Sequence, residues 1–482
     1  MFFRLAIAFV YATFCLYSQT ADDSAVALAR ILASKGTITA TDLSTVIAAS
    51  PAGRINALAA ILQNKGLLTT AEVAQLGMAP ATPKPAPRPV VAAAAAPAIP
   101  VTTTSRVPVS LYGTLVFNAF ANTAGANIED FPLFASKQSS DPTGGDKNFG
   151  ATARQTRLGL RLNPVPLGSA TLTGDFEFDL FGGKTPVSNG VDMDIFRIRT
   201  AYGRLSWKHA TFEAGQDWAL FSPLSPTSYA AYAVAEFSAS GNPWIRLPQV
   251  RGEFSTGSSD TNRLLFQFAA LDPNMGDYPT AVFSTSRQPG IGERGRMPAL
   301  ESRIAYTARA AGRDFTLGLS GHYGRGRNYG LINNVEAFAN VDSWGVNLDY
   351  SLPVTRRFNL TGEAFEGRAL GIFSVTSGEA IGAVGTPGAH GVESRGGWTQ
   401  AQFNLAKPWQ LNVAYGIEVP NASQLPVGNR WRNQTYMTNI MYKLNPLVTF
   451  ALEYRRLLTD YRNQLFANER GDHINLSIVY GF

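Results

Sequence analysis

The chain has 482 residues, of which 16% are charged, 11% are aromatic and 45 are glycine, and its mean hydropathy is −0.04. No run of about 18 apolar residues follows the N-terminal segment, which argues against a bundle of membrane-spanning helices. Of the net charge of +6, residues 1–108 carry the larger part, with 8 of the 41 basic and 4 of the 35 acidic residues. The remaining 33 basic and 31 acidic residues form no basic stripe on a helix or loop, so no nucleic-acid partner is expected.

The first 21 residues, MFFRLAIAFVYATFCLYSQTA, place Arg4 before an apolar core and a small-residue exit near Ser18 to Ala21. They read as a secretory signal, too short to span and stay. Cys15, the single cysteine, lies inside it without a convincing lipobox, so the mature chain is expected to hold no disulfide. Export from a bacterial cell is the simplest account.

Residues 22–78 contain a repeat, in which ALARILASKGTITATDLSTV at 27–46 matches ALAAILQNKGLLTTAEVAQL at 57–76. Leu28, Ile31 and Leu32 correspond to Leu58, Ile61 and Leu62 at helical spacing, and Gly36 and Gly66 stand where helices end. Thr39 and Thr69 precede Asp42 and Glu72 by three residues, a capping-box pattern for a second short helix. Two roles suit such a module: a spacer or oligomerisation element, or a grip on peptidoglycan or another periplasmic partner. Residues 79–108, dense in proline and alanine, read as a semi-rigid spacer. Fully extended it reaches roughly 90 Å.

From Val109 onwards apolar and polar residues alternate. ATLTGDFEFDL sets Leu172, Phe176, Phe178 and Leu180 against Thr171, Thr173, Asp175, Glu177 and Asp179; FRIRTAYG sets Phe196, Ile198 and Tyr202 against Arg197 and Arg199. The pattern predicts about sixteen strands, starting near 109, 151, 169, 194, 210, 246, 261, 297, 314, 340, 357, 395, 408, 430, 446 and 470. Short turns such as NPVPLGS, KHA, AAGR and AKP alternate with long loops near 121–150, 182–193, 219–245, 273–296, 327–339, 371–394, 419–429 and 458–469. The last strand, HINLSIVYGF, keeps its alternation up to Phe482, which in an open sheet would be an aggregation-prone edge. These features predict an all-β fold: a transmembrane antiparallel barrel over 109–482, whose last strand pairs with its first, in a bacterial outer membrane. Short turns and both barrel ends would then face the periplasm, where the helical module belongs.

A barrel of this size is wide enough for an aqueous channel. By strand parity Arg157 and Arg161 point inward from the second strand and Arg197 and Arg199 from the fourth, with Asp175, Glu177 and Asp179 between them. A turn centred near Pro166 would set Arg157 opposite Asp175, while Arg197 would lie near Asp179 and Arg199 near Glu177. Arg251 and Arg303 extend the inward set. Two readings are open: a wall lattice that holds these charges in place, and an arginine ladder that passes an anion down the pore. The loop at 219–245 is the candidate constriction, with Tyr229, Tyr232, Glu236 and Phe237 either lining a slot or packing on the wall. Enzyme signals are weak. GIGERG at 290–295 lacks the strand–helix context of a dinucleotide site, and His209, His322, His390 and His473 have no metal-ligand spacing. His322 near Ser320 is the only local pair of a hydrolytic kind. No cofactor, metal or catalytic group is expected.

Several stretches resemble the DcaP-like outer-membrane porins: SLYGTLVFNAF at 110–120, RQTRLGLRL at 154–162, GDFEFDLFGG at 174–183, FRIRTAYGRL at 196–205, EAGQDWALFSPL at 213–224 and GNPWIRLPQVR at 241–251. The resemblance covers about 109–482 and implies a homotrimer of sixteen-stranded barrels, each with an N-terminal helical segment, that takes up small organic anions such as dicarboxylates. Members of that family tend to carry a coiled coil where this chain has its helical repeat and spacer. The expectation is thus a passive outer-membrane channel in contact with lipid. Its rival is a plugged structural barrel that tethers the membrane to the cell wall through residues 22–78.

Overall fold

The computed structural model describes residues 21–34, 37–49, 54–64, 99–101, 108–136, 147–186, 192–258, 262–276, 288–310, 313–333, 335–373, 381–383, 386, 388–462 and 469–482. The expected leader with Cys15, the glycines Gly36 and Gly66, the repeat beyond Asn64 and the spacer up to residue 98 lie outside them. The chain forms two compact units, Met1–Ala86 and Pro87–Phe482.

Among the described residues the first unit holds three helices, α1 (Ala21–Ser34), α2 (Ala40–Ala48) and α3 (Arg54–Asn64). The capping box opens α2: the Thr39 amide donates to Asp42 Oδ2 at 2.8 Å, and the Asp42 amide to Thr39 Oγ1 at 3.2 Å. Ala29, Ile38, Val46 and Leu58 form the buried centre, with Leu32, Leu43, Ile61 and Leu62 packed around them. In the second repeat this is the face that helical spacing picks out, with Leu58, Ile61 and Leu62. In the first only Leu32 joins it, and Leu28 and Ile31 are 45% and 52% exposed because Ala29 takes the buried position instead.

The second unit is a closed antiparallel barrel of sixteen strands. They are β1 (Val109–Asn122), β2 (Asn148–Thr152 continued by Arg157–Leu167), β3 (Ala170–Asp179), β4 (Arg197–Ser206), β5 (Ala210–Trp218), β6 (Arg246–Ser258), β7 (Asn262–Leu271) and β8 (Ala299–Ala310). There follow β9 (Arg313–Ile332), β10 (Val335–Leu352), β11 (Phe358–Arg368), β12 (Glu393–Ala406), β13 (Trp409–Pro420), β14 (Arg430–Lys443), β15 (Val448–Tyr461) and β16 (Glu469–Gly481). Each strand pairs with its neighbour in sequence, and β16 pairs with β1 from Asn122↔His473 to Thr114↔Gly481. Phe482 extends the seam by exchanging backbone bonds with Gly113, at 3.0 and 3.1 Å. A Cβ at Gly113 would lie 2.6 Å from the Phe482 ring, so the glycine makes room for the terminal aromatic.

The wall is apolar outside and polar inside. Along β16, Ile474, Leu476, Ile478 and Tyr480 are 40–49% exposed, whereas Asn475, Ser477 and Val479 are at most 4% exposed. This inverts the soluble pattern, as a lipid-facing band around a polar interior requires. Among the described residues no helix is long and apolar enough to cross a membrane, so any crossing falls to the strands.

Three local expectations need correction. The β2–β3 turn is centred on Gly168–Ser169, two residues beyond Pro166, because Gly168 supplies the positive φ of +59° that a two-residue hairpin demands. The predicted loop at 327–339 is a strand extension instead: β9 and β10 stay paired as far as Ile332↔Val335, with Asn333 at φ +49° in the turn. Within the predicted spacer, Ile99–Val101 forms a short strand on β1, pairing Ile99↔Leu111 through Val101↔Val109. It covers the stretch of β1 that lies beyond the end of β16. GIGERG ends in a 3-10 turn, Glu293–Gly295, between β7 and β8, not in a helix after a strand.

Closure through the last strand makes a direct prediction. Deleting residues 473–482 strips β1 and β15 of their partner and exposes two long edges. The truncated chain is expected to yield no heat-modifiable folded band on gel electrophoresis, whereas deletion of residues 22–86 leaves that band in place.

Candidate functional site

The barrel interior has two chemically distinct walls. The first is built by β2, β3 and β4. Between the two parts of β2 the chain leaves the ladder at residues 153–156, and Thr156 Oγ1 accepts the Val116 amide at 3.1 Å in place of a backbone partner. That break turns Arg154 and Gln155 into the lumen, where Arg154 pairs with Asp130. Because the turn lies at Gly168–Ser169, Arg157 stands opposite Asp179 and Arg161 opposite Asp175, so the expected Arg157–Asp175 pairing is off by four residues. Arg161 Nε donates to Asp175 Oδ2 at 3.3 Å, and its guanidinium lies 4.4 Å from the Tyr112 ring. Tyr112 in turn donates to Asp175 at 2.7 Å.

A bulge separates Glu177↔Thr200 from Phe178↔Ile198 and leaves Arg199 as the extra residue. Arg199 therefore reaches both acids, with Nε 2.6 Å from Glu177 Oε1 and Nη1 2.9 Å from Asp179 Oδ2. Arg197 binds Asp179 through two nitrogens, at 3.1 and 2.6 Å. The expected partners of Arg197 and Arg199 thus hold. The same bulge reverses the phase of the strand beyond it: Tyr202 lies opposite Asp175, on the inner face, rather than with Phe196 and Ile198 outside. Further round, Arg251 lies between Glu213 and Asp217, at 2.9 and 3.1 Å, and Arg303 grips Asp349 with two nitrogens, at 3.0 and 2.7 Å.

The loop at 219–245 runs between this wall and the opposite one, and almost all of its residues are buried. The carbonyl groups of Ala230, Tyr232 and Ala233, in its middle stretch, face the basic wall. Ala230 O accepts from Gln155 Nε2 at 2.8 Å, Tyr232 O from Arg157, and Ala233 O from Arg197 and Arg199 at 2.7 and 2.9 Å. Its donors face carboxylates and amides on the far side. The Leu220 and Phe221 amides donate to Glu301 at 2.6 and 3.1 Å, Leu224 N to Glu363 at 2.8 Å, Thr227 N to Gln400 at 2.6 Å and Ser228 Oγ to Glu453 at 2.6 Å. Glu236 meets Arg455 at 2.6 Å, which also binds Glu453 at 2.8 Å. Hydrogen bonds to charged groups are worth roughly 1.5–3 kcal/mol each, so the loop is held firmly from both sides.

The loop aromatics pack on the wall. Tyr229 and Tyr232, their rings 5.7 Å apart, sit with Val116, Met441 and Val479, and Phe237 sits with Trp398, Ala414 and Met437. Tyr232 also donates to Thr114 Oγ1 at 3.0 Å. At Gly241, with φ +103°, a Cβ would strike the carbonyl oxygens of Gly397 and Ile417, so only glycine lets the loop approach the wall there.

Several contributors were not singled out by the sequence. Arg246 is buried over Trp218 and Trp244, 4.8 and 5.1 Å from their ring centres. Parity with Arg251 would have put it outside; Trp218 just before the loop and Trp244 near the loop's end were the available signal. Among the described residues Arg246 and Arg157 have no carboxylate within ion-pair distance, and Arg246 Nη1 and Arg157 Nε have no hydrogen-bond partner. Glu301, Glu363 and Glu453 were missed because their partners are loop groups distant in sequence. His322 bonds Glu301 at 3.2 Å and packs edge-on against Phe373, while Ser320 Oγ has no partner, so the two residues do not form a nucleophile–base pair.

Removing an anchor should loosen the loop. Glu363→Ala leaves the Leu224 amide and the Trp398 indole N–H unpaired, at about 1–3 kcal/mol per group. Limited proteolysis followed by mass spectrometry is expected to show new cuts within 219–245 in this variant, and none at equal protease in Glu366→Ala on the outer face of the same strand.

No family model and no curated protein matches the chain. Among solved structures, the outer membrane channel DcaP of Acinetobacter baumannii is similar at a TM-score of 0.58 and 20% identity, over 79% of this chain and 99% of that one. The anion-selective porin from Comamonas acidovorans gives 0.47 and 14%, over 78% and 100%. Salmonella typhi OmpF, in a complex with daunomycin, gives 0.47 and 10%, over 80% and 100%. The chain thus shares with the DcaP channel the fold of a closed sixteen-stranded antiparallel barrel.

Proposed function

We propose that the protein is a passive diffusion channel of the bacterial outer membrane, with the loop at 219–245 as its constriction and a preference for small organic anions such as dicarboxylates. The outward apolar band, the polar interior and the fold shared with the DcaP channel support the channel reading. The observation that carries the anion preference is the pair Arg157 and Arg246, buried cations beside the constriction without a carboxylate of their own. Their unpaired donors are sealed from solvent, so the pair acts on a passing carboxylate through its uncompensated positive field. Arg161 and Arg197, whose side chains are 33% and 27% exposed, serve as the accessible steps on either side. The wall acids Asp175, Glu177 and Asp179 hold the remaining arginines in place, so lattice and ladder are two duties of one wall. The channel works as a homotrimer in contact with lipid, and it requires no catalytic group or cofactor.

The second reading, a plugged barrel tethered to the cell wall through residues 22–78, draws on the dense bonding of the loop to both walls. Conductance separates the two. In planar bilayers under a salt gradient the native protein is expected to open in groups of three steps with an anion-biased reversal potential. Arg157→Gln with Arg246→Gln removes two charges, each worth about 1 kcal/mol to an ion at 4 Å in a water-like medium. Their joint loss, at about 2 kcal/mol, should lower the anion-to-cation permeability ratio by about thirtyfold. A ratio unmoved by the double change would make these arginines mere wall. Silence in the bilayer, together with peptidoglycan binding that is lost on deletion of residues 22–86, would overturn the channel in favour of the tether.

A further inference from the structure

The end of the barrel that carries its N and C termini also carries the short turns, and one arc of that rim is strongly basic. Arg309 and Arg313 flank the β8–β9 turn, Arg356 and Arg357 lie in the β10–β11 turn, Lys407 lies in the β12–β13 turn and Lys443 ends β14. Asp314 is the one acid among the described residues of these four turns, and among the described residues none of the six cations has an ion-pair partner. Residues 109–482 as a whole hold 33 basic and 31 acidic residues, so six cations against one acid on this arc exceed the surplus of the entire barrel. The rest of the barrel is therefore net acidic, and the basic excess is a property of this rim.

A second observation fixes the depth of these charges. On the outer face just inside the same turns lie aromatic pairs: Tyr306–Phe315 at 5.9 Å, Phe358–Phe403 at 4.8 Å, Trp409–Tyr442 at 4.7 Å and Tyr480–Phe482 at 6.2 Å between ring centres. Such belts mark the level where hydrocarbon gives way to headgroups. The cations lie a few residues beyond the belt, at headgroup depth. Successive turns on one rim are two strands apart, about 10 Å, comparable to the screening length of about 8 Å in physiological salt. Their fields overlap into one arc.

We propose that this arc is a collar that binds the phosphates of anionic phospholipid headgroups in the leaflet at the turn end of the barrel. The collar rests on the reading of the chain as a membrane barrel. The aromatic belt favours lipid over a soluble polyanion, because it holds the cations beside the bilayer surface. Arginine pairs on two adjacent turns suit phosphate, which takes two guanidinium donors at once.

The test uses the full-length protein in neutral detergent with an equimolar mixture of phosphatidylglycerol and phosphatidylcholine, and native mass spectrometry to count retained lipids. The native protein is expected to retain phosphatidylglycerol in at least about tenfold preference. Changing Arg309, Arg313, Arg356 and Arg357 together to glutamine should abolish the preference, and changing the same four to lysine should keep most of it. Arg325→Gln with Arg327→Gln, at the opposite end, should leave it intact. Equal retention of the two lipids by the native protein overturns the collar, and that comparison needs no variant to fold. Loss of the preference in the opposite-end variant, or stronger retention of soluble anionic cell-wall fragments than of lipid, overturns it as well. Conductance recorded on the same preparations keeps the two readings apart: a silent protein that retains phosphatidylglycerol tells against the channel alone, and a conducting one indifferent to lipid charge tells against the collar alone.

Discussion

The seam between β1 and β16 is the constraint from which the other features follow. A sheet with an apolar outer face can persist in a bilayer only when its edge N–H and C=O groups are paired, since hydrocarbon offers them nothing. Here the pairing of Thr114–Asn122 with His473–Gly481 removes both edges, and Phe482 adds the last two backbone bonds through Gly113. The staggered ends leave Val109–Leu111 beyond the reach of β16, and Ile99–Val101 takes up that stretch. With the wall closed, polar side chains have one place to go, and the interior becomes a space crowded with ionisable groups.

That crowding sets the second problem, which the loop at 219–245 solves. Buried charges are costly unless paired and hydrogen-bonded. On one side arginines outnumber acids, and loop carbonyls satisfy the surplus donors of Arg157, Arg197 and Arg199. On the other side Glu301, Glu363 and Glu453 accept from loop amides and hydroxyls. The carbonyls of Tyr232 and Ala233 thus meet cations and the amides of Leu220, Phe221 and Leu224 meet anions, while neutral side chains such as Gln155, Asn347 and Asn439 bind further loop groups. The loop's position is therefore dictated by the walls it joins. The same arrangement leaves a basic flank on which Arg157 and Arg246 keep unused donors.

Much of the architecture was legible from alternation alone. Sixteen strands, the turn and loop asymmetry and the inward direction of Arg157, Arg161, Arg197, Arg199, Arg251 and Arg303 all follow from a period of two. Legibility ended where that period breaks. A bulged Arg199 shifts the phase of the rest of β4 and carries Tyr202 inside. A turn two residues later than expected moves Arg157 from Asp175 to Asp179. Arg246 escaped because indole rings, not strand parity, position it.

What the sequence by itself determined is which face of each unbulged stretch of strand is wet, because side-chain direction is a local property of the extended backbone. It also determined the helix start at Thr39, for capping involves residues three apart. Tertiary structure alone decided which charges meet across strands, where the long loop lies and which arginines keep donors to spare. Those outcomes depend on turn centres, single-residue bulges and contacts between groups as far apart as Ser228 and Glu453. An error of one residue in register exchanges every partner, and no local pattern records the register of a strand pair.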